Sequence, residues 1–536
     1  MHSGIYSGVM TVFLGLGFGS WLAADDPPIS YHNQVRPILQ ANCYGCHQPA
    51  RDMGGYAMVQ FHALIGTGES GDPAVVAGNP DASSLIELIT PDESGVAAMP
   101  QDEPPLTEQE VLLIRQWIEQ GAVNDSPTQT VNYSRQHPPE YSRLPVVTSL
   151  DFSPDGQLLA TAGFHEAVLV DVGSQKIKHR LVGISPRIES LRFSPDGTRL
   201  AVGGGSPGLA GEVQVWNVAT GKLELSKSVG YDTVYGISWS PDGTKIAFGS
   251  TDTNLRVINA KTGEQVLFQG AHDDWIRETA WSVDGSQLVS VGRDMTCKLI
   301  DFETERFIDN ITSITPGVLK GGIASVARHP QRNEILIGGS DGVPKIYRMI
   351  RETRRRIGDD ANMIRRMPPM KGRIQAVDIA PNGQLFAAGT SLNGSGAVAI
   401  YAYDFDSSLS KELKAVLSKV ASSRTPEEQS KREEYVTRNV KLITSAEVPT
   451  GIYALKFDPS GSKIALGGSD GMVRLVDTST GELVSSFAPF EITSESTQVQ
   501  PAQDRNWRFS TTDSEATADA ASRLTTYQGL PRTKIP

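Results

Sequence analysis

The sequence predicts a multidomain fold in which a small all-α domain precedes an all-β seven-bladed propeller. Three observations predict it. The chain has 536 residues, more than one hydrophobic core usually organises. Its first quarter carries apolar residues at helical spacing around one compact cysteine and histidine motif. From Val147 onward a Ser-Pro-Asp-Gly turn recurs between short β-like runs, at a spacing close to that of four-stranded propeller blades.

Composition narrows the function. The formal net charge of −12 argues against a general nucleic-acid binder, because phosphate recognition needs a basic surface. The three cysteines make no disulfide framework; two sit in one motif and Cys297 is left alone. Val9 to Leu22 is nearly all apolar or Gly, and Leu22-Ala23-Ala24 ahead of Asp25-Asp26 offers small residues for a signal peptidase. Residues 1–24 therefore read as a signal peptide, with a retained N-terminal anchor as the alternative, since the segment before the apolar run lacks Lys and Arg. No other stretch approaches the roughly 20 apolar residues of a membrane span. Any membrane contact is expected only through an uncleaved N-terminus, and a periplasmic or otherwise exported protein is expected.

The motif that carries chemistry is Cys43-Tyr44-Gly45-Cys46-His47. Two thiols three positions apart can each add to a vinyl group of one porphyrin, while the adjacent imidazole ligates the iron. A thioredoxin-like dithiol wants a strand-to-helix setting, and a zinc ribbon wants a second cysteine pair. Neither is found, so one covalent haem c is expected, with Cys43 and Cys46 as attachment points and His47 as proximal ligand.

The flanks fit a small helical domain spanning residues 29–125. Val35, Ile38 and Leu39 line one face of a helix leading into the motif. Asp81 is expected to cap a helix whose Leu85, Ile86, Leu88 and Ile89 face inward. Thr107 and Glu110 form a capping box ahead of Val111, Leu112, Ile114, Trp117 and Ile118, and Gly121 follows where that helix ends. Met53, Met58, His62 and Met99 are the candidates for a sixth iron ligand. Met99 is preferred, because its Met-Pro loop stands far enough from His47 for the chain to wrap to the other haem face. A Met/His pair leaves no open coordination position, which favours electron carriage over catalysis at the iron.

Tyr31 to Asp125, with RPILQANCYGCHQPA, GGY, GNPDAS, AAMPQDEPPLTEQE and WIEQGA, resembles the planctomycete-type cytochrome c domain. That resemblance implies export and haem c, and places the iron ligands at His47 and Met99.

Beyond Ser126, prolines at 127, 138, 139 and 145 mark a linker or first outer strand over residues 126–144. The propeller is assigned residues 145–490. Its turn stands at Ser153, Ser194 and Ser240, with degenerate copies at Ser282 to Gly285, His329 to Arg332, Ala380 to Gly383 and Asp458 to Gly461. Such short strands cannot bury their faces alone, so radial stacking into a closed ring is the natural solution. These units resemble WD repeats, with Trp216-Asn217 and Val476-Asp477 at strand ends and Asp252, Asp294, Asp341 and Asp470 in the tight turns before them. The resemblance implies that His272, Ser290 and Asp294 form a buried structural hydrogen-bonding set, not a hydrolase triad.

Two inserts interrupt the repeat. Residues 351–366 carry Arg351, Arg354, Arg355, Arg356, Arg365 and Arg366 against three acids, a basic island suited either to docking an acidic redox partner or to simple solvation. Residues 407–445 hold an amphipathic helix with Leu409, Leu413, Val416, Leu417 and Val420, and Thr425-Pro426-Glu427-Glu428 begins another. Residues 491–536 are rich in Ser, Thr and Gln and read as a disordered tail. Cys297 is expected to be a buried, inert thiol.

The expected function is that of an exported electron carrier whose propeller binds a still unspecified redox protein, rather than a catalyst. Two alternatives stay open: a propeller oxidoreductase fed by the haem domain, and a haem-bearing scaffold or sensor.

Overall fold

The computed structural model describes residues 28–48, 51–101, 103–126, 133–312, 322–354, 356, 359–492 and 508–510. The expected signal segment and Arg355 lie outside the described residues, as does most of the tail. No helix among the described residues is long and apolar enough to cross a membrane.

The N-terminal region is helical. Ser30 caps a turn over Tyr31–Val35 that runs into helix α1 (Arg36–Asn42), with Pro37 in its first turn where a missing N–H costs nothing. Helices α2 (Phe61–Leu64), α3 (Ser84–Ile89) and α4 (Glu108–Glu119) follow. The capping box of Thr107 and Glu110 is formed at the start of α4. The core gathers Val35, Leu39, Leu64, Leu85, Ile86, Ile89, Ile114, Trp117 and Ile118, and Tyr31 stacks on Trp117 with ring centroids 5.4 Å apart.

Three expectations are corrected here. Leu88 and Leu112 are 39% and 47% exposed. Each sits beside a stripe already filled by its neighbours, Leu85, Ile86 and Ile89 on α3 and Val111, Ile114 and Ile118 on α4. Asp81 caps no helix: Asn79 Oδ1 accepts from the Ala82 N–H and Ser83 takes the cap position of α3, which leaves Asp81 to pair with Arg115 of α4.

The remainder is a ring of seven blades, each built on four antiparallel strands in sequence order. One long strand, Ile177–Phe193, serves two blades: residues 177–182 close blade 1 (Leu150–Phe152, Leu158–Ala162, Phe164–Asp171), and its second half opens blade 2 (Arg199–Ser206, Ala210–Asn217, Leu223–Gly230). Blade 3 runs from Val234 to Gly270, blade 4 from Ile276 to Asn310 and blade 5 from Ile323 to Arg366. Blade 6 runs from Arg373 to Val448, and blade 7 from Ile452 to Phe487. The repeated turn has one chemistry. Ser153 Oγ donates to Asp155 Oδ1 at 2.6 Å and accepts from the Leu158 N–H at 2.9 Å, while Gly156 takes φ +72°. Ser194-Asp196-Gly197 and Ser240-Asp242-Gly243 repeat it.

Blade 7 completes its sheet from its own four strands. The ring closes through side-chain packing of Val147 and Leu150 over Gly467 and one backbone hydrogen bond, the Val147 N–H donating to the Gly468 carbonyl at 3.1 Å. The segment ahead of blade 1 adds no full strand there; Tyr141 makes a single parallel bridge to Ile492 and packs its ring at a tilt against Phe490.

The basic insert is corrected substantially. Its last residues, Met363–Arg366, form the outermost strand of blade 5. Arg351 is held by Asp309 and Asp359, both at 2.7 Å. Arg365 is fully buried and donates to the carbonyls of Ile364, Asp406 and Tyr435, and Arg366 pairs with Glu433. Of the six arginines, Arg354 and Arg356 are described as exposed. Consecutive arginines read as one patch in the sequence, but pairing and burial divide them. In the second insert, α5 (Lys411–Leu417) and α6 (Pro426–Thr437, with a Thr425 and Glu428 capping box) pack Leu417, Tyr435 and Val436 into the core of blades 4 and 5. Leu442–Val448 then supplies the fourth strand of blade 6, and Arg508–Ser510, inside the segment expected to be disordered, adds a fifth.

Candidate functional site

Helix α1 ends at Cys43, where the backbone leaves helical geometry, and the next residues fold into a tight turn. The Cys46 and His47 N–H groups both donate to the Cys43 carbonyl, at 3.1 and 3.0 Å. The turn presents both thiols within one loop, and His47-Gln48 pairs with Arg51-Asp52 in a two-residue ladder. His47 Nδ1 lies 3.1 Å from the Tyr56 carbonyl oxygen, and the two rings meet edge to face. A carbonyl can only accept, so this contact places the ring proton on Nδ1 and leaves the Nε2 lone pair free for a metal. Tyr56 is held in turn by its hydroxyl, which donates to the Leu64 carbonyl. Burial, then the neighbouring Cys46, push the Cys43 thiol up to about 12, so it stays a protonated thiol at neutral pH. Two thiols and one imidazole whose Nε2 is directed away from its Tyr56 partner are a donor set that fits a covalently held haem.

The four candidates for the sixth ligand are placed differently. Met53 is 42% exposed and His62 also faces solvent, whereas Met58 is sealed in the core at 2% exposure. Met99 is half-buried on the cluster that also receives Cys43 and Tyr56. Its backbone N–H donates to the Leu88 carbonyl at 2.8 Å, which ties the Met-Pro loop to the end of α3. Met99 thus combines a fixed backbone with a side chain on the same apolar surface as the attachment loop.

Sequence reasoning missed what stands behind that loop. Gly45 lies against blade 2 so closely that a Cβ there would overlap the Ser226 carbonyl oxygen. Ile184, midway along the strand shared by blades 1 and 2, packs into the helical core, and Lys227 pairs with Glu103 across the boundary. Gln48, fully buried, donates to the Tyr44 carbonyl at 2.9 Å and also reaches the buried carboxylate of Glu212. The glycine inside the motif was the one available signal, since glycine often marks close backbone approach. Nothing in the sequence links Glu212 to His47.

Within the propeller, His272 Nδ1 meets Asp294 Oδ2 at 2.9 Å and Nε2 meets Ser290 Oγ at 2.8 Å, all three side chains being buried. Burial works to raise the Asp294 carboxyl. Hydrogen bonds from His272 and from the Asp273 and Thr296 N–H groups outweigh it and hold the group down at about 2. The set ties the loop entering blade 4 to its second strand and to the turn that follows it, as a structural brace does. Cys297 is fully buried, and burial pushes its thiol up. The central channel holds a cavity of about 140 Å³. Among its charged lining residues, Arg192 pairs with Glu278 at 2.7 Å, Glu189 pairs with Arg187 at 2.8 Å, and the Arg277 guanidinium stands over the Tyr235 ring.

Comparison with known proteins follows the same division. Residues 43–103 match the planctomycete cytochrome C family, and residues 137–167, 224–259, 263–301 and 441–477 match the WD domain, G-beta repeat. A crystal structure of RRP9 WD40 repeats is similar at 16% identity and a TM-score of 0.46, covering 60% of this chain and 87% of that one. A structure of U3-55K is similar at 16% identity and a TM-score of 0.47, covering 60% and 88%. No curated protein matches at a significant level. The cytochrome domain implies a haem cofactor, and the chain therefore joins a planctomycete-type cytochrome c domain to a WD-repeat β-propeller.

Proposed function

We propose that this protein is an exported c-type cytochrome that binds one haem through Cys43 and Cys46 and passes electrons to a redox protein recruited by the propeller. The observation that carries the reading is the His47 contact with the Tyr56 carbonyl, which prepares Nε2 as a ligand beside two thiols on one turn. Bound haem supplies one-electron chemistry. The chain's own residues do the rest. Cys43 and Cys46 would fix the group to the loop, and His47 and Met99 would ligate its iron. Leu64, Leu85, Ile86 and Tyr56 keep water from the site. The apolar run at Val9 to Leu22 supports export, and the repeat architecture supports partner binding, because propellers of this type present broad rigid surfaces.

The test is maturation in an exporting host, followed by haem staining of a denaturing gel and absorption spectra of both redox states. Covalent stain with a low-spin spectrum supports the reading. A high-spin spectrum with covalent stain contradicts the six-coordinate carrier and points to an open iron site.

A further inference from the structure

Glu212 stands on the third strand of blade 2 and is 4% exposed. Its hydrogen-bond partners are all neutral. Ser226 donates to Oε1, Ser185 and Gln214 donate to Oε2, and the amide of Gln48 is directed at the same carboxyl. Donors converging on both oxygens solvate a carboxylate, yet none cancels its charge. Burial pushes the carboxyl up, against those donors.

Three members of this shell, Gln48, Ser185 and Ser226, border the haem attachment loop. Gln48 directly follows His47, and the Ser226 carbonyl is the group that Gly45 touches. A cavity of about 30 Å³ lies between Tyr44, Gly45, Ser185, Glu212 and Ser226, room for one or two waters among polar walls. Among the described residues, the other charged groups near this boundary include the Lys227 and Glu103 pair, Arg36, which acts on Tyr44, and Arg51, which stands opposite Gln48 in the two-residue ladder. The cation of the first is already matched, and the two arginines belong to the helical domain itself.

We propose that Glu212 is a positioning residue of the redox centre, a propeller carboxylate set behind the Cys43 to Gln48 loop that favours the oxidised state and lowers the reduction potential. This rests on the haem reading above. Oxidation removes one electron to the redox protein partner, breaks no bond and leaves the centre one unit more positive. A fixed negative charge in a poorly hydrated boundary stabilises that state over the reduced one.

The experiment compares full-length, matured wild type with Glu212→Gln and Glu212→Asp by spectroelectrochemical titration from pH 5 to pH 9. Unchanged haem stain and spectra in all three keep the haem reading separate from this one. The midpoint potential of Glu212→Gln is expected above wild type, most clearly toward the alkaline end, where ionisation of the carboxyl is favoured, with Glu212→Asp close to wild type. Coincident wild-type and Glu212→Gln potentials across the range overturn the proposal. So does a Glu212→Asp potential displaced as far as that of Glu212→Gln, which assigns the effect to packing. Absence of haem from matured wild type overturns the underlying reading as well.

Discussion

His47 Nδ1 and the Tyr56 carbonyl oxygen stand 3.1 Å apart, so a backbone carbonyl orients the imidazole. The remaining question at the iron is the opposite ligand, and burial separates the candidates. Met99→Ala is expected to convert a low-spin spectrum to a high-spin one. Met58→Leu, a volume-conserving change in the sealed core, is expected to keep the low-spin spectrum at a cost below about 1.5 kcal/mol. His62→Ala and Met53→Leu are expected to change neither spectrum nor melting by much, as both are exposed. A low-spin spectrum retained in Met99→Ala counts against Met99.

Gly45→Val tests the contact between the domains. The added side chain meets the Ser226 carbonyl, which is part of a strand and cannot swing aside. Overpacking of this kind costs about 1–3 kcal/mol. The expected result is faster hydrogen exchange in Leu223–Gly230 and quicker proteolysis after Ser126, with haem attachment retained. Exchange rates equal to wild type show that the two domains do not depend on this approach.

Much of this architecture is legible in the sequence, and the exceptions share a cause. The CxxCH loop, the capping boxes of α4 and α6 and the Ser-Pro-Asp-Gly turns are local devices, set by residues within a few positions of each other. Arg351, Arg365 and Arg366 misled because their partners, Asp309, Tyr435 and Glu433, lie 42, 70 and 67 residues away in the chain. Glu212 was invisible for the same reason: only the fold brings it to Gln48. Leu88 and Leu112 failed differently, since an apolar residue at the margin of a helical stripe satisfies the periodicity without being covered.

The pH dependence of blade 4 follows from Asp294. Its folded-state value, about 2, lies below the ordinary carboxylate value of 3.8. Stability from this group is therefore present above the ordinary value and is lost as pH falls through about 2. The contribution is about 2 kcal/mol. Thermal melts of wild type and Asp294→Asn should differ by that order at neutral pH and converge as the pH approaches 2. A constant difference over that interval contradicts the assignment.

Arg365→Met is expected to destabilise the protein by about 3 kcal/mol, because the carbonyls of Asp406 and Tyr435 lose a buried donor. Arg354→Ala and Arg356→Ala, on exposed side chains, are expected to stay within about 0.5 kcal/mol. Denaturant melts of the three variants distinguish a buried anchor from a solvated patch.

The most direct test of the central claim is the haem stain and reduced-minus-oxidised spectrum of matured wild type beside Cys46→Ala. Covalent attachment through Cys43 and Cys46 predicts stain that survives denaturation in wild type and a low-spin spectrum in both redox states, with the Cys46→Ala protein losing stain or shifting its reduced band as one thioether is lost. A competently matured wild type with no stain and no haem spectrum contradicts the account.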